Sequence, residues 1–289
     1  MKKIKKIFAG SRQRLLLLYY FIFHRDVRKR TSLKEMMFHL FSPTMFAIAA
    51  RDAELLKEDD KYKYYRLSGY GDVFIYPRTA PLYSLAMVLS EARPGHWHYY
   101  EAPGTEILPD DVVVDCGCAE GLFAFRHQYT AAHIYALEPL PVFIDSLQQL
   151  FHANSRITIL PVAAGDTCGK AYMQLPSSET SLNASVSQDK GNDGSIEVDI
   201  ATLDSLFADK NIRINYIKAD IEGFEEYLIR GALETIRMSR PKIAITTYHE
   251  GQDYKKLISL VKSVVPEYQY RIKGIDFLSG RPVMLHMWV

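Results

Sequence analysis

Short apolar runs, most of them closed by an acid, recur along the second two-thirds of the chain. Val112, Val113 and Val114 lead into Asp115, and residues 134–137 lead into Glu138. Residues 157–161 form a third run, 214–219 end at Asp220, and 242–247 form a fifth. Runs without two-residue alternation suit strands buried on both faces. Helical spacing fills the intervals, most clearly over 142–153 and 224–238. This alternation predicts a parallel α/β sheet with right-handed crossovers. The rhythm breaks near the end. Residues 268–273 and 283–289 are both strand-like, and Gly274 and a Ser279-Gly280 turn leave no room for a helix between them. They are expected to pair antiparallel at one edge of the sheet. Residues 170–175 and 196–200 also read as strands, flanking a polar stretch over 176–194 that is expected to be a mobile loop.

The first third has another character. Residues 33–57 read as helical, interrupted at Pro43. Residues 62–67 and 72–76 are β-rich runs around Ser68-Gly69-Tyr70-Gly71, a hairpin signal, and 81–92 read as a helix ended by Pro94-Gly95. The expected division is an accessory or cap segment over 1–95 and an α/β domain over 96–289.

Charge sharpens that division. Residues 1–30 carry ten Lys/Arg against the single acid Asp26, while the rest of the chain has 25 basic and 33 acidic residues, a net of −8. An acidic body disfavours a nucleic-acid partner. Within the basic segment, 15–23 is a nine-residue apolar run, too short for the roughly 20 residues that span a bilayer. It is expected to be a helix packed on the body or a partner subunit, or a segment resting on an anionic membrane surface. No small-residue cleavage site follows, so a secretory signal is not expected. The expected location is cytoplasmic, at most peripheral to the inner face of the membrane. Three cysteines (Cys116, Cys118 and Cys168) suggest neither a disulfide framework nor a zinc site, but small buried residues beside a turn.

Ligands of open parallel sheets bind beyond the carboxyl ends of the strands, so the candidate chemistry lies at those ends. The first carries Asp115, Gly117, Cys118 and Gly121 in a D-x-G-x-x-x-G loop, not the G-x-G-x-x-G spacing of dinucleotide folds. The second carries Glu138 and Pro139, 23 residues after Asp115, where a carboxylate can accept both hydroxyls of a ribose. The third offers Ala164 and Asp166 for an adenine. The fourth gives Lys218, Asp220, Glu222 and Glu225; helix capping accounts for acids there but not for a lysine inside an apolar strand. The fifth ends in Tyr248-His249-Glu250.

Together these residues resemble the FkbM family of S-adenosylmethionine-dependent methyltransferases, over roughly 96–289. The resemblance is carried by Val113-Val114-Asp115-Cys-Gly117-Cys-Ala-Glu-Gly121, Leu137-Glu138-Pro139-Leu-Pro141, Thr202-Leu203-Asp204 and Lys218-Ala-Asp220-Ile-Glu222-Gly223-Phe-Glu225, followed by Gly231-Ala232 and Arg240-Pro241. It implies a Rossmann-like class I methyltransferase sheet, S-adenosyl-L-methionine as cofactor, and transfer of a methyl group to a hydroxyl of a small molecule or glycan, such as a sugar or lipid-linked saccharide. One departure is Thr246-Thr247-Tyr248-His249 where such sequences often carry a Glu on strand five.

In that chemistry a base near the acceptor hydroxyl helps, and Asp220 paired with His249 is the expected choice, with Glu222 and Lys218 beside them. Grouped acids can also hold a divalent ion that acidifies the hydroxyl, but the sequence assigns no metal ligands. The rival readings are an NAD-dependent oxidoreductase, which lacks its glycine fingerprint here, a nucleic-acid methyltransferase, which lacks a basic groove, and a non-catalytic nucleoside-binding or scaffold protein of the same fold. The aromatic run His96-Trp97-His98-Tyr99-Tyr100 suits either a sugar platform or a packing layer. Recognition of the acceptor is expected from the first third and the 176–194 loop. A homo-oligomer is compatible with the sequence and is not required by it.

Overall fold

Four helices open the chain: α1 (Lys2–Phe23), α2 (Arg25–Arg30), α3 (Leu33–Phe41) and α4 (Met45–Asp52). The start of α3 is fixed by a reciprocal cap, in which the Glu35 amide donates to Ser32 Oγ and the Ser32 amide to Glu35 Oε2. The helical reading of 33–57 fails past Asp52. Residues 53–57 lie instead in β1 (Ala53–Glu58), paired antiparallel with β2 (Tyr62–Leu67), which pairs with β3 (Val73–Pro77). Glu54, Leu55, Leu56 and Lys57 favour helix locally, and cross-strand pairing overrides that preference. The expected β2–β3 hairpin is present, and α5 (Leu82–Glu91) follows.

The computed structural model describes residues 2–174, 185–187 and 195–289, with side chains over 12–173 and 195–289. The α/β part runs β4 (Val112–Cys116), α6 (Leu122–His127), β5 (His133–Leu137), α7 (Pro141–Phe151), β6 (Ile157–Leu160), β7 (Ala163–Ala164), β8 (Gly169–Gln174), β9 (Ser185–Ser187) and β10 (Ser195–Ala201). It continues with α8 (Leu203–Leu206), β11 (Tyr216–Ala219), α9 (Glu225–Arg230), α10 (Leu233–Ser239), β12 (Lys242–Thr246), α11 (Tyr254–Val264), β13 (Gln269–Lys273) and β14 (Met284–Trp288). A seven-stranded sheet has the order β13-β14-β12-β11-β4-β5-β6. Its five predicted strands are parallel, and β14 is antiparallel to both neighbours. The expected terminal pair therefore forms with its later strand inserted inside and β13 at the edge.

Succession runs outward in both directions from the β4–β11 boundary, which makes that boundary the switch point where a crevice opens. Alternate residues of the central strands enter two apolar clusters. Val114 and Ile217 face α9–α11, while Val113 and Tyr216 join a cluster that reaches Phe74, Met36 of α3 and Leu17 of α1. The N-terminal layer thus packs on one face of the sheet.

Two further expectations change. Residues 224–238 form not one helix but two, because Asp204 accepts the amides of Glu234 and Thr235 and so starts α10 afresh. The 176–194 loop lies outside the described residues except for β9, which pairs with β8. Among the described residues no helix is long and apolar enough to cross a membrane.

Candidate active site

Strands β4 and β11 lie in a register that sets Asp115 directly opposite Lys218. Their charges meet at 2.9 Å with Asp115 fully buried and Lys218 nearly so. Burial alone would lower the lysine's pKa, but Asp115 and Asp220 outweigh it and raise it. The ammonium also donates to the carbonyl of Gly117 at 2.7 Å. Lys218, expected among the catalytic groups, therefore sits beneath the glycine loop and holds its shape. Gly117 lets the loop pass close to the end of β11: its φ is +69°, and a Cβ there would lie 2.2 Å from the backbone oxygen of Asp220. Gly121 starts α6, packed on Leu147. Cys116 and Cys118 are buried as expected; Cys168 is exposed, on the turn before β8.

Glu138 does something that sequence reasoning did not foresee. Oε2 accepts the amide of Ala119 and Oε1 that of Leu140, each at 2.8 Å, so the carboxylate latches the loop to the end of β5. Burial pushes its pKa up to about 7 against those two hydrogen bonds. Each oxygen can accept one more hydrogen bond, and Glu138 lines a slot walled by Pro139, Leu140, Phe143, Val162 and Ala164. Asp166 does not line that slot.

The acids after β11 form a connected cluster. Glu225 is fully buried. Its Oε1 accepts the amide of Ile221 at 3.1 Å and lies 3.1 Å from the Thr246 hydroxyl and 3.0 Å from His249 Nδ1, while Gln252 donates to Oε2. The other His249 nitrogen lies 3.6 Å from Asp220 Oδ1 and 3.5 Å from Glu222 Oε2. Burial would lower the imidazole's pKa, but the Glu225 hydrogen bond and the charges of Asp220, Glu225 and Glu222 raise it to about 9. Glu222 is held in a left-handed turn (φ 54°). Burial lifts its carboxyl to about 7 in spite of the nearby His249. For Asp220 burial acts upward, yet His249, His98, Lys218 and a hydrogen bond from Tyr100 hold it below the usual carboxylate range. That bond, from the Tyr100 hydroxyl to Oδ2, is 2.7 Å long. Asp220, Glu225 and His249 place donor atoms within 4.8 Å of one another, the spacing of a candidate cation site. Two of the three are already engaged with each other.

A cavity of about 1410 Å³ opens beside this cluster. It shares Gly117, Ala119, Asp220 and Glu222 with the slot, then extends past Glu91, His98, Glu120 and Tyr248 to α1, α4 and residues 275–278. Glu91 belongs to no motif, Glu120 is a variable position inside the glycine loop, and the signal for Tyr100 is only its place in the aromatic run. Trp97 of that run is no open platform: it is buried and stacks on His39 with centroids 3.7 Å apart. The structure thus brings together Gly117, Cys118, Glu138, Pro139, Ala164, Lys218, Asp220 and Glu222 around two joined spaces, with His249 behind the two acids and Asp115 and Gly121 as support.

Residues 115–272, more than half of the chain, match the family model described as the methyltransferase FkbM domain. Among solved structures, the chain is similar to the methyltransferase FkbM from Methylobacillus flagellatus KT, with a TM-score of 0.50, 20% identity, and coverage of 72% of this chain and 56% of that one. It spans little more than half the length of that relative. More distant are an rRNA methylase from Streptococcus thermophilus (TM-score 0.41, 10% identity, 63% of this chain and 88% of that one) and Aeropyrum pernix fibrillarin with natively bound S-adenosyl-L-methionine (0.40, 12%, 82% and 99%). No sequence relative is found among curated proteins. At these identities the structural likeness is one of fold, the Rossmann-like class I methyltransferase sheet, and it is the domain match that settles kinship: the chain belongs to the FkbM methyltransferase family.

Proposed function

We propose that this methyltransferase uses S-adenosyl-L-methionine to methylate a hydroxyl of a small molecule or glycan. The observation that carries this reading is the junction of slot and cavity at Gly117, Ala119, Asp220 and Glu222. A nucleoside in the slot has Glu138 for its ribose hydroxyls and the apolar wall of Leu140, Phe143 and Val162 for its base. The donor set fits the cofactor. When bound, S-adenosyl-L-methionine supplies a methyl group on a sulfonium, already activated for displacement.

What remains for the protein is position and a proton. Glu138, Pro139 and the Gly117–Ala119 loop would hold the cofactor, which would supply the methyl group and keep the electron pair of the broken bond. This chain's own task would be to take the acceptor's hydroxyl proton on a base. Proton transfer works best to a base whose pKa lies near the working pH. That consideration moves the base role from the Asp220–His249 pair to Glu222 at about 7. His249, at about 9, is a cation at neutral pH that holds the two carboxylates in place. Asp220, braced by Tyr100, orients the hydroxyl. Glu91, Glu120, Asp220 and Glu222 along one cavity offer hydrogen-bond partners to a hydroxyl-rich acceptor.

Calorimetric titration with S-adenosylmethionine, S-adenosylhomocysteine and NAD tests the reading. Micromolar binding of the two sulfur nucleosides alone is expected; tighter NAD binding, or none of the three, overturns it.

A further inference from the structure

We propose that α1, α3 and the rim of the cavity dock on an anionic membrane surface, and that the acceptor hydroxyl is borne by a lipid entering the cavity from that face. The substrate half of this inference rests on the methyltransferase reading above; the docking half does not.

Two helices in contact turn apolar stripes outward. On α1 the stripe is Leu15, Tyr19, Ile22 and Phe23; on α3 it is Leu33, Met37 and Phe41, with Phe23 and Phe41 71% and 73% exposed. Both follow helical spacing, so each is one continuous face. The inner faces are already committed: Leu17 and Met36 are buried, and the Tyr20 hydroxyl donates to the Leu278 carbonyl. Apolar side chains presented in rows, not singly, mark an interaction surface.

Charge selects the occupant. The segment from residue 1 to 30 has ten basic residues and one acid, and Arg12, Arg14, Arg25, Arg28 and Lys29 are exposed. A basic, apolar helix that cannot span a bilayer is suited to lie in its interface beside anionic head groups. A second copy meeting the same face by two-fold symmetry would set one +9 segment against another.

The cavity supplies the link to chemistry. Phe46, Tyr83 and Leu278 line it and are exposed, as are Arg12 and Arg14, so its rim is apolar and basic, while the less exposed Asp220 and Glu222 line its other end. An acceptor with a hydroxyl-bearing head and a hydrocarbon tail matches both ends. A freely soluble sugar would leave the rim unused.

The test is co-sedimentation of the full chain with vesicles of phosphatidylcholine alone and of phosphatidylcholine with phosphatidylglycerol. The expected result is binding to the anionic vesicles only, weakened at least tenfold by high salt and at least tenfold by combined Phe23→Asp and Phe41→Asp. S-adenosylmethionine affinity and circular dichroism should stay unchanged in that variant, which shows that it folds. No binding, equal binding to neutral vesicles, or a dimer that the same substitutions dissociate overturns the docking. Incubation with radiolabelled S-adenosylmethionine and a whole-cell extract then locates the methyl group. Label in the lipid phase supports the substrate class, and label only in water-soluble material overturns it. Vesicle binding by a protein that binds no sulfur nucleoside would sink the methyltransferase reading while the docking stands.

Discussion

His249 Nδ1 lies 3.0 Å from Oε1 of the fully buried Glu225, and this contact turns the opposite ring nitrogen toward Asp220 and Glu222. Glu225 touches neither slot nor cavity. It is a positioning residue, acting through the imidazole. In Glu225→Gln the shape is retained and the charge lost, so the His249 pKa should fall from about 9 toward its ordinary 6.5. An NMR titration of the ring protons reads this directly, and an unshifted pKa would deny Glu225 that role.

Activity should follow a bell in pH. The lower limb reports ionisation of Glu222 near 7 and the upper limb loss of the His249 proton near 9. Glu222→Gln is expected to lower kcat by about 10²–10⁴-fold and erase the lower limb, with cofactor affinity intact. A limb that persists in this variant would belong to another group.

Stability has its own pH dependence, with a definite sign. His249 is raised above 6.5, so its favourable contribution is complete below 6.5 and is lost as pH rises through about 9. Glu222 and Glu138 are raised from 4.5 to about 7, so theirs is complete below 4.5 and lost through 7. Asp220, held below 3.8, acts oppositely and costs stability only in strong acid. His39, His98 and His127, held down to about 3–4 by burial, act in the opposite sense to Glu222, so the contribution of one carboxyl is read as a difference. The melting-temperature advantage of the parent over Glu222→Gln should shrink from pH 4.5 to pH 7, and a difference independent of pH would contradict the assignment.

Lys218→Met leaves Asp115 charged, buried and without its partner. Breaking such a pair from one side costs about 3–5 kcal/mol, measurable by urea denaturation. Adding Asp115→Asn removes the stranded charge and should recover much of the loss. If the single substitution costs less than about 1 kcal/mol, far below the cost of an orphaned buried charge, the pair is not what supports the loop.

Much of the sheet is legible in the sequence because its strands are apolar on both faces, which marks Val112–Cys116 and Tyr216–Ala219 without any partner in view. The acids at the strand ends are legible for the complementary reason, since a charge closing an apolar run must lie where the run leaves the core. What stays hidden are contacts that only the fold creates. Glu138 reads as a ribose ligand, and nothing local shows that Ala119 and Leu140 donate to it first. Asp204 belongs to a motif, yet its task of starting α10 emerges only when residues 30 positions away arrive beside it. Residues 53–57 mislead because helix propensity is a local quantity and strand pairing is not.

Two glycines with the same backbone sign separate strain from site. Gly69 has φ +87°, and a Cβ added there would meet nothing within 4 Å, so Gly69→Ala carries only the left-handed conformational cost of about 1–2 kcal/mol. At Gly117 (φ +69°) the new carbon meets the Asp220 oxygen at 2.2 Å and Ile221 Cγ2 at 2.9 Å. A backbone oxygen at a strand end cannot swing aside as a side chain can, so the loop itself must shift. That shift carries the Ala119 amide away from Glu138 and alters the wall shared by slot and cavity. Gly117→Ala should therefore cost more stability than Gly69→Ala and weaken S-adenosylmethionine binding at least tenfold, whereas Gly69→Ala leaves binding untouched. Denaturation and calorimetry on both variants decide the matter, and equal binding by the two would place the cofactor away from this loop.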